Sequence, residues 1–150
     1  MRARRLNRPA EILLVEDNSR EVELVRLALE SGKLNHHLHV AEDGVRALAF
    51  LRRQGKYAKA AHPDLVLLDL KLPRKDGYEV LAEIKANGQL KVIPVLVLTT
   101  SDSDEDMLRC YQLHANGYIT KPGKFQELVQ VMRSIDGFWF NVVYLPNESP

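Results

Sequence analysis

Five polar side chains that could do phosphate or metal chemistry each stand at the end of a short apolar segment: Glu16, Asp17, Asp69, Thr99 and Lys121. If the three carboxylates lie together, they repel one another unless a cation is present. A hard divalent cation prefers oxygen ligands, and Mg²⁺ suits a site with few carboxylates and several waters. An ammonium and a hydroxyl on the far side would bind a phosphoryl group by charge and hydrogen bonding. These residue types therefore predict a Mg²⁺-dependent phosphoryl site.

The element that must position Asp69 is the segment of residues 63–73, PDLVLLDLKLP. Its four consecutive aliphatic residues, 65–68, predict a strand buried on both faces, as in a parallel sheet. Asp69 then lies at the carboxyl end of a central strand. A buried charge without a partner is costly, and ligands of open α/β sheets bind at the carboxyl ends of strands. A functional role is therefore the preferred interpretation of Asp69, and a helix cap or a solvated loop residue is the second.

Strand and helix patterns alternate along the whole chain, with strands expected at residues 11–15, 65–68, 92–98 and 117–120 and a short second strand that ends near residue 41. This alternation predicts a flavodoxin-like α/β domain, (βα)5, in which helices cover both faces of a five-stranded parallel sheet. The expected strand order is 2-1-3-4-5. Strands 1, 3, 4 and 5 are neighbours in that order. All five polar side chains are therefore expected along one edge of the sheet.

Composition sets the broad class of protein. The 150 residues suffice for one ordinary domain with a sizeable core, without metal or disulfide support. The formal charge of +1 offers no electrostatic argument for nucleic acid or for a membrane surface. The single cysteine, Cys110, excludes a disulfide within the chain and is compatible with a reducing compartment. Because no apolar run has membrane-spanning length and no secretion signal is recognisable, we expect a cytoplasmic protein.

Two features near the amino terminus have ordinary explanations. Residues 1–10 carry four arginines and are expected to form a flexible, basic arm. His36, His37 and His39 stand close enough in sequence to suggest a metal site. However, adjacent residues of a strand point to opposite faces, and neither a cysteine nor a carboxylate completes a ligand shell in this segment. A solvated segment is the preferred interpretation.

Four motifs resemble the response-regulator receiver family of two-component signalling: ILLVED, LLDLKLPRKDG, VLTT and YITKP. The resemblance extends over residues 11–136, which we therefore expect to form a receiver domain. It implies that Asp69 accepts a phosphoryl group from a phosphohistidine on a sensor histidine kinase. It also implies a signalling protein that is not otherwise an enzyme, since it would catalyse only its own phosphorylation and dephosphorylation.

The resemblance also implies how the cation is held. Mg²⁺ would be bound by Asp17, Asp69 and the backbone carbonyl of Lys71, with Glu16 contributing through water. Lys71 and Ser101 occupy positions that tune phosphate hydrolysis in the family, so the lifetime of the phosphoryl group stays open.

A second set of implied roles concerns the switch. Lys121 would bond the phosphoryl group, and a cis peptide between Lys121 and Pro122 would shape its loop. Thr99 would move toward the phosphoryl group, and Tyr118 would swing inward as Thr99 vacates space. The surface formed by helix 4 (expected through Met107, Leu108 and Tyr111), strand 5 and helix 5 (expected from Phe125 to Ile135) would then change with the phosphorylation state.

The flanking segments FLRRQGKYAKAAHPDL and GFWFNVVYLP resemble the single-domain receivers that serve bacterial phytochromes. A phytochrome is therefore the expected kinase partner. Residues 137–150 are too apolar for a solvated tail, so they either complete the core or form an interface. Following the resemblance, we expect a homodimer that uses this extension together with helix 4, strand 5 and helix 5.

Three other functions can be weighed on the same residues. A phosphohydrolase with an aspartate nucleophile, of the haloacid dehalogenase kind, requires a carboxylate where Lys71 stands. A nucleotide-binding module would need a glycine-rich phosphate loop, and none follows any predicted strand. A receiver that signals without phosphorylation, as a dimeric interaction module, would not need the complete polar set. The roughly fifteen residues after Ile135 are too few for a DNA-binding module, so the expected output is a protein contact or phosphate relay.

Overall fold

Five strands alternate with five helices, in the order that the sequence pattern predicts. The structure is a computed structural model that describes residues 6–146. The strands are β1 Ala10–Val15, β2 His36–Ala41, β3 Leu65–Leu68, β4 Val95–Thr99 and β5 Gly117–Thr120. The helices are α1 Ser19–Glu30, α2 Gly44–Leu51, α3 Gly77–Ala86, α4 Asp104–Gln112 and α5 Phe125–Ile135, with a π-helical turn at Asp136–Phe140 after α5.

The five strands form one parallel sheet in the order β2-β1-β3-β4-β5, which confirms the predicted topology. The register aligns the carboxyl ends: Val15 pairs with Leu68, and Leu68 pairs with Val97. At the far side of β4, Thr99 pairs with Thr120. The residues that follow β1, β3 and β5 therefore emerge at one edge of the sheet, beside the end of β4.

The core consists of two layers, one on each face of the sheet. All four residues of β3 are buried, which is the pattern of a central strand in a parallel sheet. Val66 and Leu68 pack with apolar side chains of α2 and α3, whereas Leu65 and Leu67 pack with those of α1 and α5. Burying both faces holds β3, and therefore its carboxyl end, in a fixed position.

Local capping starts the helices immediately after the loops of the site. The Asn18 side chain accepts hydrogen bonds from the backbone of the first turn of α1. Asp76 and Glu79 form a reciprocal capping box at the start of α3. Ser103 caps α4 by accepting from the Asp106 backbone N–H.

Gly77 lets α3 approach the loop after β3 closely. Its N–H donates to the Leu70 carbonyl at 2.9 Å, and a Cβ at this position would lie 2.3 Å from the Asp69 carbonyl oxygen. Any larger residue would therefore displace the backbone that carries Asp69.

Strand β4 begins later than predicted. Leu90–Val92 form a 3₁₀ turn, and Ile93 N–H donates back to the Leu90 carbonyl at 3.0 Å. Pro94 has no N–H to give to the sheet, so pairing starts at Val95. An apolar run alone does not separate this turn from the strand.

The predicted flexible arm is wrong for its last residues. Arg8 forms a two-pronged ion pair with Asp64 at 2.7 and 2.8 Å, and the buried Ala10 begins β1. The pairing energy of a buried carboxylate outweighs the freedom of a short arm in this part of the chain. Residues 1–5 of the predicted arm lie outside the described residues.

The segment after α5 is divided between core and surface. Phe140 and Leu145 are 2% and 4% exposed and pack against α1, α5 and the sheet. Phe138 and Tyr144 are 54% and 77% exposed. The apolar ending therefore completes the core through Phe140 and Leu145, whereas an interface at its exposed residues stays a prediction. Residues 147–150 lie outside the described residues. None of the helices between residues 6 and 146 has the length and hydrophobicity that a membrane span requires.

Candidate functional site

A cluster of three carboxylates lies at the carboxyl edge of the sheet. Glu16 and Asp17 follow β1 directly, and Asp69 follows β3, so the paired ends of these strands bring the acids together. Each of the three offers an oxygen that lies within 4.8 Å of the other two. Glu16 is buried, Asp17 is exposed, and the Asp69 side chain is 12% exposed. The cluster therefore opens toward solvent on the side of Asp17.

Lys121 closes the other side of the cluster. Its Nζ lies 2.5 Å from Glu16 Oε1, 3.7 Å from Asp69 Oδ2 and 3.9 Å from Glu21 Oε2. The Lys121 side chain is only 10% exposed, and its backbone N–H donates to the Thr99 carbonyl. The position of the ammonium is therefore fixed by the end of the sheet.

Burial and charge oppose each other at this ion pair. Burial raises the pKa of Glu16 from its ordinary 4.5 to about 7, with the negative Asp69 adding to the effect and the Lys121 hydrogen bond opposing it. Burial alone would lower the pKa of Lys121. The hydrogen bond from Lys121 to Glu16 and the charges of the surrounding acids outweigh burial, so the pKa of Lys121 is raised. Lys121 therefore stays an ammonium, whereas burial favours the protonated form of Glu16.

The donor set fits a hard divalent cation. Three carboxylates face one ammonium at close range, so the cluster carries excess negative charge that one Lys121 does not balance. Mg²⁺ and Mn²⁺ prefer such oxygen ligands and retain waters in a site that opens to solvent. The predicted ligands Glu16, Asp17 and Asp69 are thus brought together. The Lys71 backbone carbonyl stays a predicted ligand.

Thr99 and Tyr118 lie next to this cluster on the β4–β5 side. Thr99 is 1% exposed, and its hydroxyl oxygen accepts from Ser101 N–H at 3.3 Å. The half-buried Tyr118 donates its hydroxyl to the Ser101 carbonyl at 2.9 Å. The loop after β4 therefore touches both predicted switch residues.

The predicted cis peptide before Pro122 is wrong. The peptide bonds of residues 6–146 include no cis bond, so Lys121 and Pro122 are joined in trans. Trans is the lower-energy isomer of an X–Pro bond by about 0.5–1 kcal/mol. Lys121 reaches the carboxylates with this isomer.

The histidine segment also differs from its predicted surroundings. His36–Ala41 is a strand rather than a solvated loop, and the missing carboxylate comes from the neighbouring strand, in the form of Glu11. His37 Nδ1 lies 2.7 Å and His39 Nε2 lies 3.4 Å from Glu11 oxygens. Residues two apart on a strand share a face, and the β1–β2 register supplies the acid.

Sequence reasoning missed one polar network beside the site, formed by Tyr78, Ser101 and Asp106. The Asp106 carboxylate accepts from Tyr78 hydroxyl at 2.7 Å and from Ser101 hydroxyl at 2.6 Å. An acid in the first turn of a helix is ordinarily explained by the helix dipole, so nothing in the local pattern distinguished Asp106.

Comparisons with known proteins agree with this geometry. Residues 12–133 match the sequence model of the response regulator receiver domain. Response regulator Rcp1 of Synechocystis sp. is 47% identical over 140 residues, which cover 93% of this chain and 95% of that protein.

Two solved structures extend the similarity to three dimensions. The phosphorylated cyanobacterial phytochrome response regulator RcpA has a TM-score of 0.88 and 46% identity, covering 93% of this chain and 99% of its own. The Mn²⁺-bound form of Rcp1 has a TM-score of 0.85 and 47% identity, covering 92% and 99%. Phosphorylation and divalent metal binding are thus recorded for proteins to which this chain is similar.

Proposed function

The chain belongs to the response regulator receiver family, and on that premise we propose that Asp69 accepts a phosphoryl group from a sensor histidine kinase. The observation that carries the proposal is the convergence of Glu16, Asp17 and Asp69 within 4.8 Å, with Lys121 Nζ 3.7 Å from Asp69 Oδ2. Residues from β1, β3 and β5 contribute to this one site, although they are separated by up to 105 positions in sequence. Helix capping does not account for such a convergence.

In the transfer, an Asp69 carboxylate oxygen attacks the phosphorus of a phosphoimidazole. The new O–P bond forms as the N–P bond breaks, and the leaving imidazole nitrogen takes up a proton. Asp69 is suited to this role because its Oδ1 accepts a hydrogen bond from the neighbouring Leu70 N–H at 2.8 Å, while its Oδ2 lies 3.7 Å from the Lys121 ammonium. A carboxylate oxygen is thus available on the open side of the cluster.

The other residues stabilise the charge of the transferred group. Lys121 and the Thr99 hydroxyl bind phosphoryl oxygens, and Mg²⁺, when bound by Glu16, Asp17 and Asp69, neutralises negative charge on the phosphoryl group. Lys121 then exchanges part of its contact with Glu16 for the phosphoryl group. Because positioning and charge supply nearly all of the catalysis, no separate acid or base is needed.

Acetyl phosphate with Mg²⁺ tests the acceptor directly. We expect stoichiometric, hydroxylamine-labile labelling of the intact protein and complete loss of labelling in Asp69→Asn, measured by mass spectrometry and Phos-tag electrophoresis. Asp102→Asn is the matched control, because Asp102 is an exposed aspartate in the β4–α4 loop, and it should be labelled like the wild type. Undiminished labelling of Asp69→Asn, or Mg²⁺-independent labelling of the wild type, would contradict the assignment.

The proposed kinase is a phytochrome, since RcpA, which is 46% identical to this chain, is named as a phytochrome response regulator. The buried thiol of Cys110 fits the reducing cytoplasm in which we place the exchange. Phosphotransfer should be faster from a phytochrome-type histidine kinase than from an unrelated kinase of equal phosphorylation level. Equal rates from both kinases would count against this partner.

The proposal includes a homodimer through an apolar surface formed by α4, β5, α5 and the following turn. An open groove there is lined by Tyr111 of α4, Tyr118 of β5, Val131 of α5 and Phe138. Phe138 and Tyr111 are 54% and 46% exposed. Exposed aromatic side chains around an apolar groove are typical of protein interfaces.

A point variant tests the dimer better than truncation, because removing residues 137–150 would also remove the buried Phe140 and Leu145. Phe138→Ser should weaken dimerisation on the order of tenfold or more, as loss of an aromatic anchor does, in sedimentation equilibrium. Val92→Ser is the control, since Val92 is 53% exposed in the turn before β4. A monomeric wild type, or equal effects of both variants, would exclude this interface.

A further inference from the structure

Asp106 lies in the first turn of α4, and its carboxylate is bonded to side chains outside that helix. The N-cap of α4 is Ser103, whose hydroxyl accepts from Asp106 N–H, so the Asp106 carboxylate is not needed for capping. That carboxylate instead accepts two short hydrogen bonds, from Tyr78 hydroxyl at 2.7 Å and from Ser101 hydroxyl at 2.6 Å. Bonds to a charged acceptor are the stronger class of hydrogen bond in proteins.

On one side the network reaches the loop that carries the acceptor. Tyr78 is the second residue of α3, directly after Gly77, whose N–H is bonded to the Leu70 carbonyl at 2.9 Å. Leu70 N–H in turn donates to Asp69 Oδ1 at 2.8 Å. The start of α3 is therefore joined to the Asp69 side chain by two successive backbone contacts.

On the other side the network reaches the switch tyrosine. The Ser101 carbonyl accepts the hydroxyls of Tyr118 at 2.9 Å and Thr120 at 3.3 Å. The Ser101 hydroxyl also accepts from Ser103 N–H at 3.2 Å, and Ser101 N–H donates to the Thr99 hydroxyl at 3.3 Å. Fixing the Ser101 side chain therefore fixes the carbonyl on which Tyr118 rests.

Neighbouring charges favour the ionised form of Asp106. The hydrogen bonds from Ser101 and Tyr78 lower the pKa of Asp106, with Arg109 and Lys71 adding smaller effects. Arg109 lies over the Tyr78 ring, 3.8 Å from its centroid. This cation–π contact holds the ring whose hydroxyl binds Asp106.

We infer that Asp106 is a positioning residue that couples the acceptor loop to Tyr118 through Tyr78 and Ser101. The inference rests on the proposed phosphoryl-accepting function. It assigns a role to side chains that no part of the transfer chemistry uses. The contacts hold the Ser101 carbonyl where it receives the half-buried Tyr118, so they favour the docked position of Tyr118.

Thermodynamic linkage sets the direction of the effect. The resemblance to receivers implies that Tyr118 swings inward on phosphorylation. Whatever stabilises this docked position of Tyr118 should then also favour binding of a phosphoryl group. Removing the Asp106 charge should then weaken the binding of beryllofluoride, a phosphoryl analogue, although Asp106 does not touch it. The loss of one charge-assisted hydrogen bond predicts an effect of about three- to tenfold.

Beryllofluoride titrations in saturating Mg²⁺ test this coupling in the full chain. Asp106→Asn and Tyr78→Phe should each raise the dissociation constant by about three- to tenfold. Asp104→Asn is the matched control, because it removes the same charge from the same first turn of α4 at an exposed position, and it should leave the constant unchanged. In a Tyr118→Phe background, Asp106→Asn should have little further effect, since the docked hydroxyl is already absent.

The possible results distinguish a failure of the proposed function from a failure of the coupling through Asp106. A wild type that binds no beryllofluoride would overturn the proposed function itself. A wild type that binds it, together with equal constants for Asp106→Asn and Asp104→Asn, would overturn the coupling alone. The coupling would also be overturned if the effects of Asp106→Asn and Tyr118→Phe on the beryllofluoride dissociation constant were fully additive. A purely structural role of Asp106 would lower the unfolding temperature but would not make the two effects on binding depend on each other.

Discussion

The two ends of β3 each carry an aspartate, and the two acids have opposite surroundings. Asp64 precedes the strand and Asp69 follows it, with the buried residues Leu65–Leu68 between them. Asp64 accepts from Arg8 at 2.7 and 2.8 Å and from the Glu11 N–H at 2.8 Å, and its side chain is 0% exposed. Its charge is matched by a guanidinium in ideal two-pronged geometry.

Asp69 shares its surroundings with two further acids instead. Its Oδ2 is 3.7 Å from Lys121, whose shorter contact, at 2.5 Å, goes to Glu16. The one ammonium is therefore divided among several carboxylates. The comparison teaches that burial of an acid beside a strand does not identify its role. The Asp64 carboxylate, whose charge is balanced by Arg8, stabilises the fold. The Asp69 cluster, in which three carboxylates share one ammonium, retains negative charge that can bind a cation.

The largest expected difference is in stability. Asp64→Ala should lower the free energy of unfolding by about 3 kcal/mol, because it leaves Arg8 and the Glu11 N–H without their buried acceptor. Acetyl phosphate should still label the folded variant on Asp69. Asp69→Asn should behave in the opposite way, keeping or slightly raising stability while losing all labelling, since it removes one of several mutually repelling charges.

Urea denaturation of both variants in divalent-free buffer measures this difference. Arg8→Ala serves as a second arm, because it removes the guanidinium and leaves the Asp64 carboxylate in place. It should be destabilising by less than Asp64→Ala, as the Arg8 side chain is already 33% exposed. Comparable losses of stability in Asp64→Ala and Asp69→Asn would remove the distinction between the two ends.

A smaller effect on stability is expected from pH at the carboxyl end of β3. The pKa of Glu16 is raised by burial from 4.5 to about 7, so between these values the folded protein binds more protons than the unfolded chain. Its stabilising contribution is complete below pH 4.5 and is lost as the pH rises through 7. Without divalent cations, this group should therefore lower the free energy of unfolding by on the order of 2 kcal/mol across that range.

Comparing the wild type with Glu16→Gln in EDTA isolates the contribution of Glu16 to the pH dependence of stability, because the glutamine side chain does not titrate. The pH dependence should be flatter in Glu16→Gln than in the wild type, and Mg²⁺ should oppose the trend in the wild type by stabilising the ionised carboxylate. Parallel curves for the two proteins would show that Glu16 does not titrate in this range.

Much of the site was predictable because its parts are local. The four-residue apolar run before Asp69 predicts a buried parallel strand, and the alternation of strands and helices limits the topology to few choices. Once the strand order is assumed, the residues following the strands must meet at one edge. The strand ends alone therefore place four residues at this edge: Glu16, Asp17, Asp69 and Lys121.

The incorrect predictions share a physical cause, which is competition between local preference and distant contacts. Residues near Arg8 look like a disordered basic arm, but Asp64 lies 56 positions away in sequence and binds the guanidinium. Val92 and Ile93 look like the start of an apolar strand, but they end a 3₁₀ turn, and the strand begins only after Pro94. The apolar ending was divided by packing, with Phe140 inside and Phe138 outside.

The sequence by itself determined the order of the elements and the identity of the acids at the sheet edge. Periodicity and capping act over a few residues, so a linear pattern records them. Only the tertiary structure decided which charge meets which. The contact of Lys121 with Glu16 spans 105 positions, and that of Tyr78 with Asp106 spans 28. Such contacts depend on strand register and helix placement to within an ångström, which short-range preferences do not encode.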